Sequence, residues 1–130
     1  MPSLDTNCLL RWLLDDIPEQ SAAITNLVDS GESFTVADAA LIETVFVLEK
    51  LKKIDRETIE RAIMAIIENN SFFCDYELFS EILPMYTKHA KLSIVDCYLE
   101  ALARKRGSVP LLTFDQKLAN QLPGAKLISS

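Results

Sequence analysis

Four acids stand where carboxylates could do chemistry: Asp5, Glu43, Asp96 and Asp115. Asp5 and Asp115 each follow a short apolar run and open a segment of helical period, which places both at the carboxyl ends of strands. Asp96 lies three residues after Ser93, the spacing of a capping box in which the acid reaches back to the cap residue's own N–H. Each of these three therefore has a second reading as a helix cap. Glu43 has no such reading. It is the only charged residue in "ALIETVFVL", and on a helix its face is shared with Ala39, Ala40, Phe46 and Val47, all apolar. An ionised carboxylate buried there needs a partner, and either a lysine or a metal ion would serve. Four converging carboxylates would make an oxygen-rich pocket suited to hard divalent cations such as Mg²⁺ or Mn²⁺.

The elements that must position these acids follow from apolar periodicity. Pro2 to Asp5 predicts a strand, followed by helices over about Asn7–Leu14 and Glu19–Ser30, the second closed by Gly31. Ser33–Val36 predicts a second strand. Helices are expected over about Asp38–Lys52 and Arg56–Glu68, with Asp55 capping the latter. "SFFCDY" reads as a strand, and Glu77–His89 as a helix that Pro84 kinks or breaks. Ile94–Arg106 reads as a helix with Ser93 before it and Gly107 after it. "VPLLTF", a short helix over Asp115–Gln121 and the strand "AKLIS" complete the chain. Such alternation predicts an α/β, three-layer fold, its central and mostly parallel sheet of about four to five short strands flanked by helices. Ligands of such sheets bind at the carboxyl ends of the strands.

Composition bounds the function. The chain has 130 residues, 49% of them hydrophobic, and only three glycines, which predicts one domain over residues 1–130 with a single core. A net charge of −6 argues against a protein that coats nucleic acid or membrane by bulk electrostatics, so an anionic substrate needs a local attractor. Cys8, Cys74 and Cys97 are odd in number and widely spaced, which suggests neither a disulfide framework nor a zinc site. "CLLRWLL" lacks a basic leader, and no apolar run approaches the ~20 residues of a membrane span. The expectation is a cytoplasmic protein without a membrane partner.

With "LDTN" around Asp5, "IETVFVLEK" around Glu43, "SIVDCYLEALA" around Asp96 and "LLTFDQKLA" around Asp115, the chain resembles a PIN-domain ribonuclease, most like the VapC-type toxins of toxin–antitoxin pairs. The resemblance covers essentially the whole chain. It implies that Asp5, Glu43, Asp96 and Asp115 are the catalytic, metal-binding acids, with Thr6, Asn7 and Thr113 as hydrogen-bonding support. It implies Mg²⁺- or Mn²⁺-assisted hydrolysis of RNA phosphodiesters, in which one ion activates a water and a second, about 4 Å away, stabilises the leaving oxygen. A cognate antitoxin and a homodimer are implied as partners. The chain departs from the pattern at Lys117, where a further acid often follows the "TFD" element. Glu100, one turn beyond Asp96, is either a substitute ligand or a solvated surface glutamate.

Lys88, Lys91 and Lys117 flank the acid-bearing segments and are the candidates for RNA backbone contact, whereas Arg104, Lys105 and Arg106 suit the negative end of the Asp96 helix. His89, the only histidine, reads as a solvated or helix-capping group, and Trp12 as core. Two other classes compete. One is a PIN-like scaffold that binds RNA or a protein partner without cutting. The other is a haloacid-dehalogenase-like phosphatase, whose nucleophile is an aspartate after the first strand; that family wants a second aspartate where this chain has Asn7.

Overall fold

Apolar stripes of helical spacing build most of the core. In the computed structural model, which describes residues 1–129, the chain divides into two compact units, Met1–Tyr76 and the residues from Glu77 onward.

The first unit contains α1 (Thr6–Leu13), α2 (Pro18–Asp29), β1 (Phe34–Thr35), α3 (Asp38–Phe46), α4 (Arg56–Ile67) and β2 (Phe72–Phe73). Ile59, Ile63, Ile66 and Ile67 form one stripe of α4 and are all buried. Leu41 and Val45 of α3 and Leu48 of the π-helical segment that continues it, Val47–Leu51, form one buried stripe. β1 and β2 run parallel, with Phe34 opposite Phe72 and Thr35 opposite Phe73. Phe34 and Phe72 point into the core, and Trp12 of α1 packs edge-on against Phe72 with ring centroids 5.1 Å apart.

The second unit contains nearly all of α5 (Tyr76–Lys88), then α6 (Ile94–Lys105), β3 (Leu111–Thr113), α7 (Gln116–Gln121) and β4 (Ala125–Leu127). β3 and β4 are also parallel, with Leu111, Leu112 and Thr113 opposite Ala125, Lys126 and Leu127. Leu78, Phe79, Ile82, Leu83 and Tyr86 of α5 are buried, as are Ile94, Cys97 and Ala101 of α6. Gly107 closes α6 with φ +67, a backbone conformation that side chains other than glycine's disfavour.

Three expectations change. The strand expected over Pro2–Asp5 is a single parallel bridge from Ser3 to Thr35, because Pro2 has no N–H to give and Asp5 already serves as the N-cap of α1. Pro84 does not break α5, which continues through it; it sits on the exposed side of the helix, where the carbonyl it leaves unpaired can face water. The expected sheet of four to five strands is, among the described residues, two separate two-stranded parallel ladders, one in each unit, and the α/β class holds.

Candidate functional site

Each acid can be built from the element that carries it. Asp5 ends the short extended segment at the N-terminus, with φ −89 and ψ 177, and its Oδ1 accepts the Cys8 N–H at 2.9 Å. That bond, aided by the Cys8 thiol, holds the Asp5 carboxyl below the usual carboxylate range. Burial in turn pushes the Cys8 thiol up, so it stays protonated at neutral pH. Asp96 completes a capping box with Ser93: its Oδ2 accepts the Ser93 N–H at 3.0 Å while the Ser93 hydroxyl accepts the Asp96 N–H at 3.1 Å. Asp115 caps α7, and its Oδ1 accepts the N–H groups of Lys117 at 2.9 Å and Leu118 at 3.3 Å. The capping reading of all three acids is therefore correct, and it does not exhaust them. In each cap these backbone N–H bonds go to one carboxylate oxygen, which orients the group.

Glu43 overturns its expectation. It is exposed, not buried. The inward stripe runs through Leu41, Val45 and Leu48, and Glu43, two residues after Leu41, points about 200° away at roughly 100° per residue. Phe46 shares the outer side and is likewise exposed. The polar residue that does enter the core is Thr44, whose hydroxyl satisfies itself on the Ala40 carbonyl at 2.7 Å. No buried lysine partner for Glu43 is needed. Its Oε1 accepts a short hydrogen bond of 2.5 Å from the Thr6 hydroxyl, which ties α3 to the first turn of α1 next to Asp5.

The supporting residues divide. Thr6 meets Glu43 as described, and the Thr113 hydroxyl accepts the Asp115 N–H at 2.9 Å, shaping the turn from β3 into α7. Asn7 is exposed and joins Asp5, Cys8 and Arg11 along an open groove of about 340 Å³ between α1 and α2. Lys88, Lys91 and Lys117 are all exposed. His89 is half-buried with Nδ1 3.0 Å from Gln121 Oε1, a structural contact and not a solvated one.

Glu100 is neither a solvated glutamate nor an available ligand. It is fully buried, its carboxylate held by Arg104 through Nε at 3.0 Å and Nη2 at 2.8 Å and by the Gly124 N–H at 2.8 Å. Arg104 also pairs with Glu81, and its own pKa is raised by the two carboxylates. The sequence did carry a signal for this cluster. Glu100 lies on the stripe of Ile94, Cys97 and Ala101, with an arginine four residues on.

The acids offer hard oxygen donors only, the chemistry that Mg²⁺ and Mn²⁺ take. Among the described residues, no three His, Cys, Asp or Glu side chains are gathered closely enough to hold an ion. The first unit brings Asp5, Thr6 and Glu43 to one neighbourhood, and the second places Asp115 beside Thr113.

Known proteins resemble this chain over most of its length. A VapC ribonuclease of Aquifex aeolicus (strain VF5) is 26% identical over 121 residues, covering 90% of this chain and 89% of the relative. The PIN domain model matches residues 3–121, a span that contains all four acids. The chain belongs to the PIN domain family.

Proposed function

We propose that this chain is a Mg²⁺- or Mn²⁺-dependent ribonuclease, the toxin of a toxin–antitoxin pair, with Asp5, Glu43, Asp96 and Asp115 as its metal ligands. The observation that carries this reading is the orientation of the acids within the family-matched span. Three of them are fixed by cap hydrogen bonds to one oxygen, and the fourth is fixed by Thr6. The relative's ribonuclease name supports RNA as the substrate. Membership in the PIN family sets aside the phosphatase alternative.

When bound, the ion supplies Lewis acidity and an activated water for phosphodiester hydrolysis. The chain's own residues do the positioning. The Cys8 N–H keeps Asp5 ionised, so a ligand is available without a competing proton. Thr6 restrains Glu43, whose long side chain would otherwise sample several rotamers. Lys88, Lys91 and Lys117 are the charges proposed to meet the RNA backbone. The same reading includes an antitoxin and a second copy of the chain as partners, a cytoplasmic location and one functional domain over residues 1–130. No helix among the described residues is long and apolar enough to cross a membrane.

The test is cleavage of a structured RNA with Mg²⁺, with Mn²⁺ and with excess chelator. Cleavage in either metal and none in chelator is expected. Asp96→Asn should keep its capping bond to Ser93 and its fold while losing cleavage, because an amide oxygen still accepts the N–H but carries no charge for the ion. Cleavage that survives chelation removes the metal from the mechanism. RNA binding without cleavage by the wild type in both metals would establish the scaffold reading instead.

A further inference from the structure

Glu100 has every hydrogen-bonding direction filled, and one of its partners is backbone. Its Oε2 accepts the N–H of Gly124, the residue that precedes β4. The carbonyl of Gly124 in turn accepts the Leu111 N–H at 2.7 Å, the first residue of β3. β3 ends at Thr113, whose hydroxyl accepts the Asp115 N–H. An unbroken path thus runs from the α6 carboxylate through the N–H and carbonyl of the single residue Gly124 to the strand that delivers Asp115. Asp96 stands one turn earlier on the same α6.

The contact is built for glycine. A Cβ at position 124 would lie 2.7 Å from Glu100 Oε2 and 3.1 Å from Arg104 Cγ, so only a residue without a side chain lets the strand approach the carboxylate. Arg104 holds both Glu100 oxygens and thereby fixes which way Oε2 faces. A buried ion pair is by itself a weak source of stability, since apolar residues of similar volume replace such pairs without loss in many proteins. What apolar residues cannot supply is an acceptor for the Gly124 N–H.

We propose that Glu100 is a positioning residue, which with Arg104 sets the register of the β3–β4 ladder against α6 and so places Asp115 relative to Asp96. This rests on the metal-dependent ribonuclease reading for its catalytic consequence and on the hydrogen-bond path alone for its structural one.

The experiment uses the full chain carrying E100M/R104M, in which two unbranched apolar side chains fill the space. Amide spectra of the ¹⁵N-labelled, metal-free protein should show displacement of Gly124 and Leu111 and, with them, Thr113, Phe114 and Asp115. The turnover number for Mn²⁺-supported RNA cleavage should fall about 10- to 100-fold with KM nearly constant, the loss typical of a partner behind the ligands. Displacement that stops at Leu111, leaving Thr113 to Asp115 in place, overturns the proposal, as does unchanged turnover. Should E100M/R104M not fold, R104K is the second variant: it keeps the charge but lacks the guanidinium's fork, and the same amides should move less far. No shift at Asp115 in folded R104K overturns the proposal equally. If the wild type itself cuts no RNA, the ribonuclease reading fails, and the amide shifts still decide the positioning role.

Discussion

Glu43 and Glu100 both sit inside helices, and their environments are opposite. Glu43 of α3 is exposed and accepts one hydrogen bond, from Thr6. Glu100 of α6 is wholly buried and held by the Arg104 guanidinium and the Gly124 N–H. The sequence neighbours of Glu43 are more apolar, yet it is Glu100 that enters a core. A charge is admitted where a complete donor set waits for it, because desolvation otherwise exceeds what one hydrogen bond returns. A charge left at the surface with one restraint keeps its coordinating capacity. Glu100 is therefore committed to structure and Glu43 is available for chemistry.

Removing the buried carboxylate tests this contrast most severely. Glu100→Ala strands Arg104 and the Gly124 N–H, and it should lower stability by about 3–5 kcal/mol in urea denaturation. A loss under about 1 kcal/mol would mean that water or Glu81 takes over both partners, and the contrast between the two glutamates would collapse.

Glu43→Gln should do the reverse. As an exposed change it should leave stability within about 0.5 kcal/mol, while RNA cleavage falls at least about 100-fold, beyond what loss of a supporting partner produces. Paired melting and cleavage assays on this variant sharpen the comparison. A clearly destabilised but active protein would place Glu43 with Glu100 as a structural group.

The smallest effect belongs to Asp5, and it depends on pH. Its carboxyl is held below its ordinary value of 3.8, chiefly by the Cys8 N–H, so its ionisation stabilises the fold above that value. The contribution is lost as pH falls through the lowered folded value. Asp5→Ala should thus cost up to about 1 kcal/mol at neutral pH, as N-caps do, and the gap to wild type should close as the solution is acidified below the carboxylate range. A gap that persists at low pH would show that shape and not charge carries the cap.

Much of the architecture was legible in the order of residues. Capping signals at Asp55, Ser93 and Asp115 and the glycine after α6 gave helix limits that agree with the structure within one or two residues. These are local effects, decided by a side chain and a backbone group a few positions apart, and a linear reading sees them. The strands were overextended for a related reason. Apolar character marks where a strand can lie, but its length is set by how many partner groups the neighbouring segment offers, and Ser3 meets Thr35 alone.

The caps of Asp5, Asp96 and Asp115 could be read from the sequence, since residue type and spacing alone pointed to them. Which glutamate is buried could not be read from adjacent residues. That choice belongs to the tertiary structure, because α3 turns its Leu41 and Val45 stripe inward and carries Glu43 out, while α6 meets a glycine backbone from 24 positions away that fits only against Glu100. Contacts of that separation are fixed when helix and strand pack, and packing selects among charged groups by the donors it brings to them.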